Sequence, residues 1–73
     1  MVKDLYGSRD LTRKELQIAH GIWKAKTNQV IALELGATET VVKNHLRVIF
    51  DKTGMSTRLE LALWYEVHQP DSQ

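Results

Sequence analysis

The segment TETVVKNHLRVIFDKTG, residues 38–54, is the stretch that decides the fold of this chain. Its first residue, Thr38, is of a type that caps helix starts, and its last, Gly54, is of the type that most often ends a helix. Between them, side chains that suit a core recur at intervals of three and four: Val42, Leu46, Ile49 and Thr53. This period is typical of an amphipathic α-helix, so we predict a helix over residues 39–53 whose stripe faces a core.

The opposite side of this predicted helix is polar. Lys43, Asn44 and Arg47 stand at positions i, i+1 and i+4, which places them side by side near the helix start. Lysine and arginine donate to guanine, asparagine pairs with adenine, and each good bidentate pair contributes about 1–3 kcal/mol of discrimination. Because lysine and arginine are common on protein surfaces, an ordinary solvated helix face is the alternative.

Three further helices are predicted from start and stop signals. Each start is marked by a capping threonine: Thr12, Thr27 or Thr57. Thr12 and Thr57 are each followed three positions later by a glutamate, Glu15 and Glu60, which can complete a capping box. From these starts we predict helices that run to about residue 25, to residue 35 and to about residue 67. The short connection before Thr38 contains Gly36, and such a turn is typical of a helix-turn-helix. We therefore predict an all-α, four-helix, tetrahelical helix-turn-helix domain.

Length and composition limit the organisation of the chain and the classes of function. The 73 residues suffice for one small domain, which we place at residues 11–68, between a flexible N-terminal arm or linker at 1–10 and a C-terminal tail at 69–73. There is no cysteine, and the three histidines are too far apart for a zinc motif. Without a nucleophile constellation or a glycine-rich phosphate loop, we expect no enzyme, no cofactor and no bound small molecule. Without a long apolar run or a signal-peptide h-region, we expect a cytoplasmic protein with no membrane contact.

With the helices placed, residues 11–62 resemble the helix-turn-helix domain of the LuxR family, also called GerE-like. The residues that match the family pattern in order and spacing are Leu11-Thr12, Glu15, Thr27-Asn28, Ile31-Ala32, Leu35, Thr38, Val42-Lys43-Asn44-His45, Lys52, Gly54 and Arg58. The resemblance implies a bacterial, nucleoid-associated transcription regulator that inserts the helix 39–53 into the major groove of double-stranded DNA. It also implies base contacts from Lys43, Asn44 and Arg47.

Two departures from the family pattern bear on stability and function. Ala25 stands where the family has a glycine at the end of the first helix. Val41 stands where the family has a threonine whose hydroxyl commonly faces a phosphate, and valine cannot donate a hydrogen bond. We therefore expect this chain to lack one backbone contact of the family.

Contacts to phosphates are predicted from hydroxyls, amides and cations near the helix starts, because such groups commonly position proteins on a duplex. The candidates are Thr27, Asn28, Thr38, Thr40 and Lys52. Thr27 and Thr38 are also fully explained as helix caps, and both interpretations stay open for them.

The fourth predicted helix has apolar residues on two sides. We predict that Leu59, Ala62 and Leu63 pack inward. The second side is predicted to be a dimer interface, with Leu61, Trp64, Tyr65 and His68 as its residues. The resemblance implies that this helix pairs with its symmetry mate in a two-fold homodimer, which separates the two recognition helices by about 34 Å.

In an alternative function, the domain has the helix-turn-helix fold but does not bind DNA. The net charge of +1 is low for a nucleic-acid binder, and Val41 lacks a phosphate donor. The domain would then be a protein-interaction module that pairs with another regulator through Leu61, Trp64 and Tyr65. DNA binding would weaken steeply with salt, whereas an apolar interface would barely respond.

Overall fold

Four α-helices make up the described part of the chain, residues 11–68, in a computed structural model. They are α1 (Arg13–Trp23), α2 (Asn28–Leu35), α3 (Glu39–Thr53) and α4 (Arg58–Val67), and no strand occurs within residues 11–68. The predicted all-α, four-helix class is confirmed. The predicted arm, residues 1–10, and the predicted tail, residues 69–73, lie outside the described residues.

Each of the four helices begins after a threonine that caps it. Thr12 Oγ1 accepts from Glu15 N at 3.1 Å while Glu15 Oε1 accepts from Thr12 N at 2.9 Å, so the first predicted capping box is present. The second predicted box, between Thr57 and Glu60, forms in the same way. Thr27 and Thr38 cap α2 and α3, and the starts of all four helices are as predicted. Replacing such a cap by alanine typically costs about 1 kcal/mol.

Each of the first three helices is followed, one or two residues after its end, by a residue in the left-handed region. Gly36 has φ 68° and Gly54 has φ 77°, which glycine adopts without strain. After α1 the residue in this region is Ala25, with φ 62°. Lys26 N donates to Gly21 O and Ala25 N to Ile22 O, both at 2.9 Å, which is the Schellman arrangement. Because the chain turns here, α1 stops at Trp23 and not at the predicted residue 25.

The predicted stripe of α3 is the centre of the core. Its four residues, Val42, Leu46, Ile49 and Thr53, are all buried, as predicted. Helix α3 packs against α1 and α2, and α1 packs against α4. The α1 residue Gly21 permits a close approach of α2 to α1, because a Cβ there would lie only 2.7 Å from Ile31 Cγ1 of α2.

The packing face of α4 was predicted wrongly. Leu61, Trp64 and Tyr65 are buried in the core, with exposed fractions of 0%, 6% and 3%, whereas Leu59 and Leu63, predicted to pack inward, are exposed. The reason lies on α1, which presents rings to the aromatic side of α4. The Tyr65 ring lies 5.6 Å from that of His20 and 5.5 Å from that of Trp23. Aromatic side chains bury more area than leucine and gain further from such pairing, so they occupy the inner side.

Candidate nucleic-acid interface

The outward side of α3 presents the three predicted base-contacting residues together. Lys43, Asn44 and Arg47 are all exposed, on the side of the helix away from the buried stripe. Within residues 11–68, none of the three side chains forms a hydrogen bond or ion pair with another group of the chain. Their donors are therefore available to an external acceptor.

An open groove of about 590 Å³ runs beside this polar side. It separates α3 from the residues that lead into α4. Its lining residues are Lys43, Leu46, Arg47, Phe50, Asp51, Met55 and Arg58. Three cations and one carboxylate thus surround a partly apolar depression, which gives this side of the small domain a local positive charge despite a net charge of only +1.

The threonines predicted to contact phosphates lie exposed at two helix starts. Thr27 Oγ1 accepts from Val30 N and Thr38 Oγ1 accepts from Val41 N, at 3.1 and 3.2 Å. A hydroxyl that accepts in a cap keeps its own hydrogen for donation, so capping and phosphate binding are compatible at both positions. Thr40, in the first turn of α3, is also exposed. The structure thus places these three hydroxyls at the positive ends of α2 and α3.

Asn28 is held by an arginine from the start of α4. One Arg58 guanidinium nitrogen donates to Asn28 Oδ1 at 2.6 Å, and the other donates to the Lys26 carbonyl at 3.1 Å. With its oxygen occupied, the Asn28 amide has its NH₂ group left to donate. Arg58 matches the family pattern but was not predicted as a site residue. The signal in the sequence that could have identified Arg58 is its match to the family pattern, at a position to which no role was assigned.

Lys52 has a structural role that the sequence did not reveal. Its Nζ lies 2.8 Å from Glu15 Oε1, which ties α3 to α1; the Lys52 side chain is 34% exposed and that of Glu15 6%. Burial by itself raises the pKa of Glu15. The hydrogen bonds from Lys52 and the Thr12 N–H, with the charges of Lys52 and His45, outweigh burial and hold the pKa below its ordinary value. Lys52, which is predicted to contact DNA, therefore already forms an ion pair with Glu15 within the domain.

The residues predicted to form a dimer interface do not form an available surface. Leu61, Trp64 and Tyr65 are core residues of this chain, so their assignment to an intermolecular contact is corrected. His68 is half-buried, with its ring stacked 4.9 Å from that of Trp64. The exposed apolar stripe of α4 consists of Leu59, Leu63 and Val67, with exposed fractions of 67%, 58% and 76%.

Residues 11–68 contain neither a metal-binding cluster nor a membrane span. No group of three or more histidine, aspartate or glutamate side chains within residues 11–68 could hold a metal ion. Among the helices that the structure describes, none is long and apolar enough to cross a membrane.

The short turn between α2 and α3, the capped helix starts and the free polar side of α3 define a helix-turn-helix domain. The family model for bacterial regulatory proteins of the luxR family, GerE, matches residues 9–65, and the chain belongs to this family. The resemblance drawn from the sequence is thereby confirmed.

Among curated proteins, the chain is similar to the HTH-type transcriptional regulators MalT of Yersinia pestis, Yersinia pseudotuberculosis and Serratia proteamaculans. Each is 34% identical over 59 residues, which is 81% of this chain and 6% of the relative. The chain thus spans only a small part of the length of these relatives. No solved structure matches it at a significant level.

Proposed function

We propose that this domain is a sequence-specific DNA-binding regulator of transcription that inserts α3 into the major groove. The observation that supports this most strongly is the outward side of α3, where Lys43, Asn44 and Arg47 are exposed and have no partner within the described residues. A helix after a short turn is the element that helix-turn-helix proteins insert into the groove. The transcriptional regulators among its relatives favour the same role.

Phosphate contacts would fix the domain on the duplex. Thr27 and Thr38 at two helix starts, Thr40 beside Thr38, and the Asn28 amide all present donors. Such contacts set the register of a protein on DNA without selecting sequence, whereas the three α3 side chains would select it. Lys52 would contribute to phosphate binding only with the ammonium hydrogens that Glu15 leaves unused.

Dimerisation would occur through α4, but by a different face from the one expected from the sequence. Leu59, Leu63 and Val67 recur at intervals of four and form an exposed apolar stripe. A two-fold axis at this stripe would pair identical helices and set two recognition helices about 34 Å apart. The target would then be a palindrome with half-sites one helical turn apart. Such a regulator would act in the bacterial cytoplasm, on the nucleoid.

The test is selection of bound duplexes from a random pool, followed by titration of the selected site at several salt concentrations. The wild-type chain should enrich a defined, palindromic site, and its affinity should fall as salt rises because counterions are released. Arg47→Ala should relax preference at one base position and cost about 1–3 kcal/mol. Lys14→Ala is the matched control, because Lys14 is an exposed cation on α1. No enrichment, or equal losses for the two variants, would refute the proposal.

The second candidate is a module that pairs with another regulator and does not bind DNA. The observation in its favour is the same α4 stripe, since an exposed apolar surface in a small domain marks an interaction site. The interface first expected for this module, Leu61, Trp64 and Tyr65, is buried and is replaced by Leu59, Leu63 and Val67. Binding to a partner that is insensitive to salt, with no selected DNA site, would favour this candidate.

A further inference from the structure

Helix α3 exposes two valines that lie outside the hydrophobic core. Val41 is 39% exposed and Val48 43% exposed, although the other β-branched aliphatic residues of this helix, Val42 and Ile49, are completely buried. Neither exposed valine belongs to the core or to the partly buried residues that pack against it. Valine is also a poorer helix former than alanine or lysine, so local stability does not explain either residue.

The two valines lie on the same flank of the proposed reading surface, about two helical turns apart. A helix turns by about 100° per residue, so relative to Asn44 the two valines stand about 40–60° to one side. Arg47 and Lys43 stand about 60–100° to the other side, and both line the groove towards α4, whereas Asn44 and the two valines do not. The outward side of α3 is therefore basic on one flank, apolar on the other, with Asn44 between them.

We infer that Val41 and Val48 each contact the C5 methyl group of a different thymine, with the base that Asn44 recognises between them along the groove. The inference rests on the proposed insertion of α3 into the major groove. In that groove the thymine methyl is the apolar group that base edges present, and short apolar side chains are its usual partners. Val41 stands in the first turn of α3, and the N-terminal part of a recognition helix is the part that contacts base edges.

The proposed contact of Val41 also determines what is lost and what is gained by having valine in place of threonine at position 41. A threonine there would place a hydroxyl where a phosphate oxygen or a polar base edge could pair with it. Valine has the same shape without the hydroxyl, so it loses that contact and gains only where its neighbour is a methyl group. The chain thereby exchanges a phosphate contact, which does not depend on the DNA sequence, for a methyl contact that requires a thymine.

The experiment replaces thymine by deoxyuridine, one position at a time, in the site selected by the full 73-residue chain. This change removes only the methyl group and leaves base pairing intact. For wild type we expect roughly three- to tenfold weaker binding at one or two positions in each half-site, and little change elsewhere. Val41→Ala and Val48→Ala should each abolish the thymine-to-deoxyuridine difference at one of those positions. Both substitutions favour the helix, so circular dichroism should show intact folding.

The control is Leu33→Ala, which removes a side chain 76% exposed on α2 and should leave every thymine-to-deoxyuridine ratio unchanged. A wild-type chain that selects a defined site yet shows no deoxyuridine effect would overturn the inference and leave the proposed function standing. Ratios that persist in both valine variants would overturn it equally. A chain that selects no site at all would overturn both, so the two failures are distinguishable.

Discussion

Ala25 is the residue at which a single substitution should stabilise this domain. It occupies the left-handed position after α1 with φ 62°, where the equivalent residue after α2 is Gly36 with φ 68°. An L-residue with a Cβ is strained there by about 1–2 kcal/mol, because the Cβ crowds the following carbonyl oxygen. Ala25→Gly removes this strain and keeps the two Schellman hydrogen bonds, since both use backbone atoms.

The expected increase in the free energy of unfolding is smaller than the strain energy that Ala25→Gly removes. Glycine loses more backbone freedom on folding, which costs about 0.5–1 kcal/mol relative to alanine. We therefore expect Ala25→Gly to raise the free energy of unfolding by about 0.5–1 kcal/mol. For a domain of this size that corresponds to an increase in Tm of about 2–8 °C. The assay is urea and thermal unfolding followed by far-UV circular dichroism.

Two further variants isolate the cause. Ala37→Gly makes the same chemical change at a residue without positive φ, so it should destabilise by about 0.5–1 kcal/mol. Gly54→Ala should destabilise by about 0.5–1 kcal/mol, because the backbone strain of about 1–2 kcal/mol is partly offset by the smaller entropy loss of alanine, and a Cβ at Gly54 meets no atom within 4 Å. If Ala25→Gly destabilised the domain as much as Ala37→Gly does, the strain assigned to Ala25 would be refuted.

Three other predictions concern the ties between helices and the exposed surfaces. The low pKa of Glu15 means that its carboxylate stabilises the fold at neutral pH and that this contribution is lost as pH falls below the ordinary value of 4.5. Glu15→Gln should cost about 1–2 kcal/mol in neutral urea titrations and flatten this pH dependence; an unchanged profile would contradict the assignment. Asn28→Asp should preserve the Arg58 contact and stability yet weaken every DNA site by roughly tenfold in a binding titration; unaltered affinity would remove Asn28 from the interface. Leu63→Glu should be a folded monomer when measured by sedimentation, whereas Leu33→Glu should still dimerise. Equal behaviour of the two variants would show that the α4 stripe is not the dimer interface.

The parts of the fold that the sequence predicted correctly are those set by neighbouring residues. A capping threonine acts on an N–H three residues away, and the α3 stripe is a repeat within one helix, so both are visible in the sequence. The face of α4 was missed because two apolar stripes compete on it. The choice between them depends on His20 and Trp23, which are distant in sequence.

The same distinction separates the predicted from the unpredicted parts of the candidate site. The exposed positions of Lys43, Asn44 and Arg47 follow from the period of α3, whereas their contacts with DNA remain a prediction. The contacts of Arg58 with Asn28 and of Lys52 with Glu15 join residues 30 and 37 positions apart. No local pattern specifies such pairs, so neither of these two contacts was predicted from the sequence.

These long-range ties also affect how strongly one copy of the domain would bind DNA. Lys52 and Arg58 are engaged inside the domain, and the Lys26 ammonium is paired with Glu34 at 2.8 Å. Each neutralised phosphate contributes about 0.9 to the salt slope of binding to B-DNA, so a domain with few free cations near its reading helix would have a shallow slope and weak affinity. Two copies joined through α4 would double the number of phosphate contacts. Dimerisation would therefore supply affinity that a single domain lacks, and a monomeric Leu63→Glu variant should lose about half the salt slope along with its affinity.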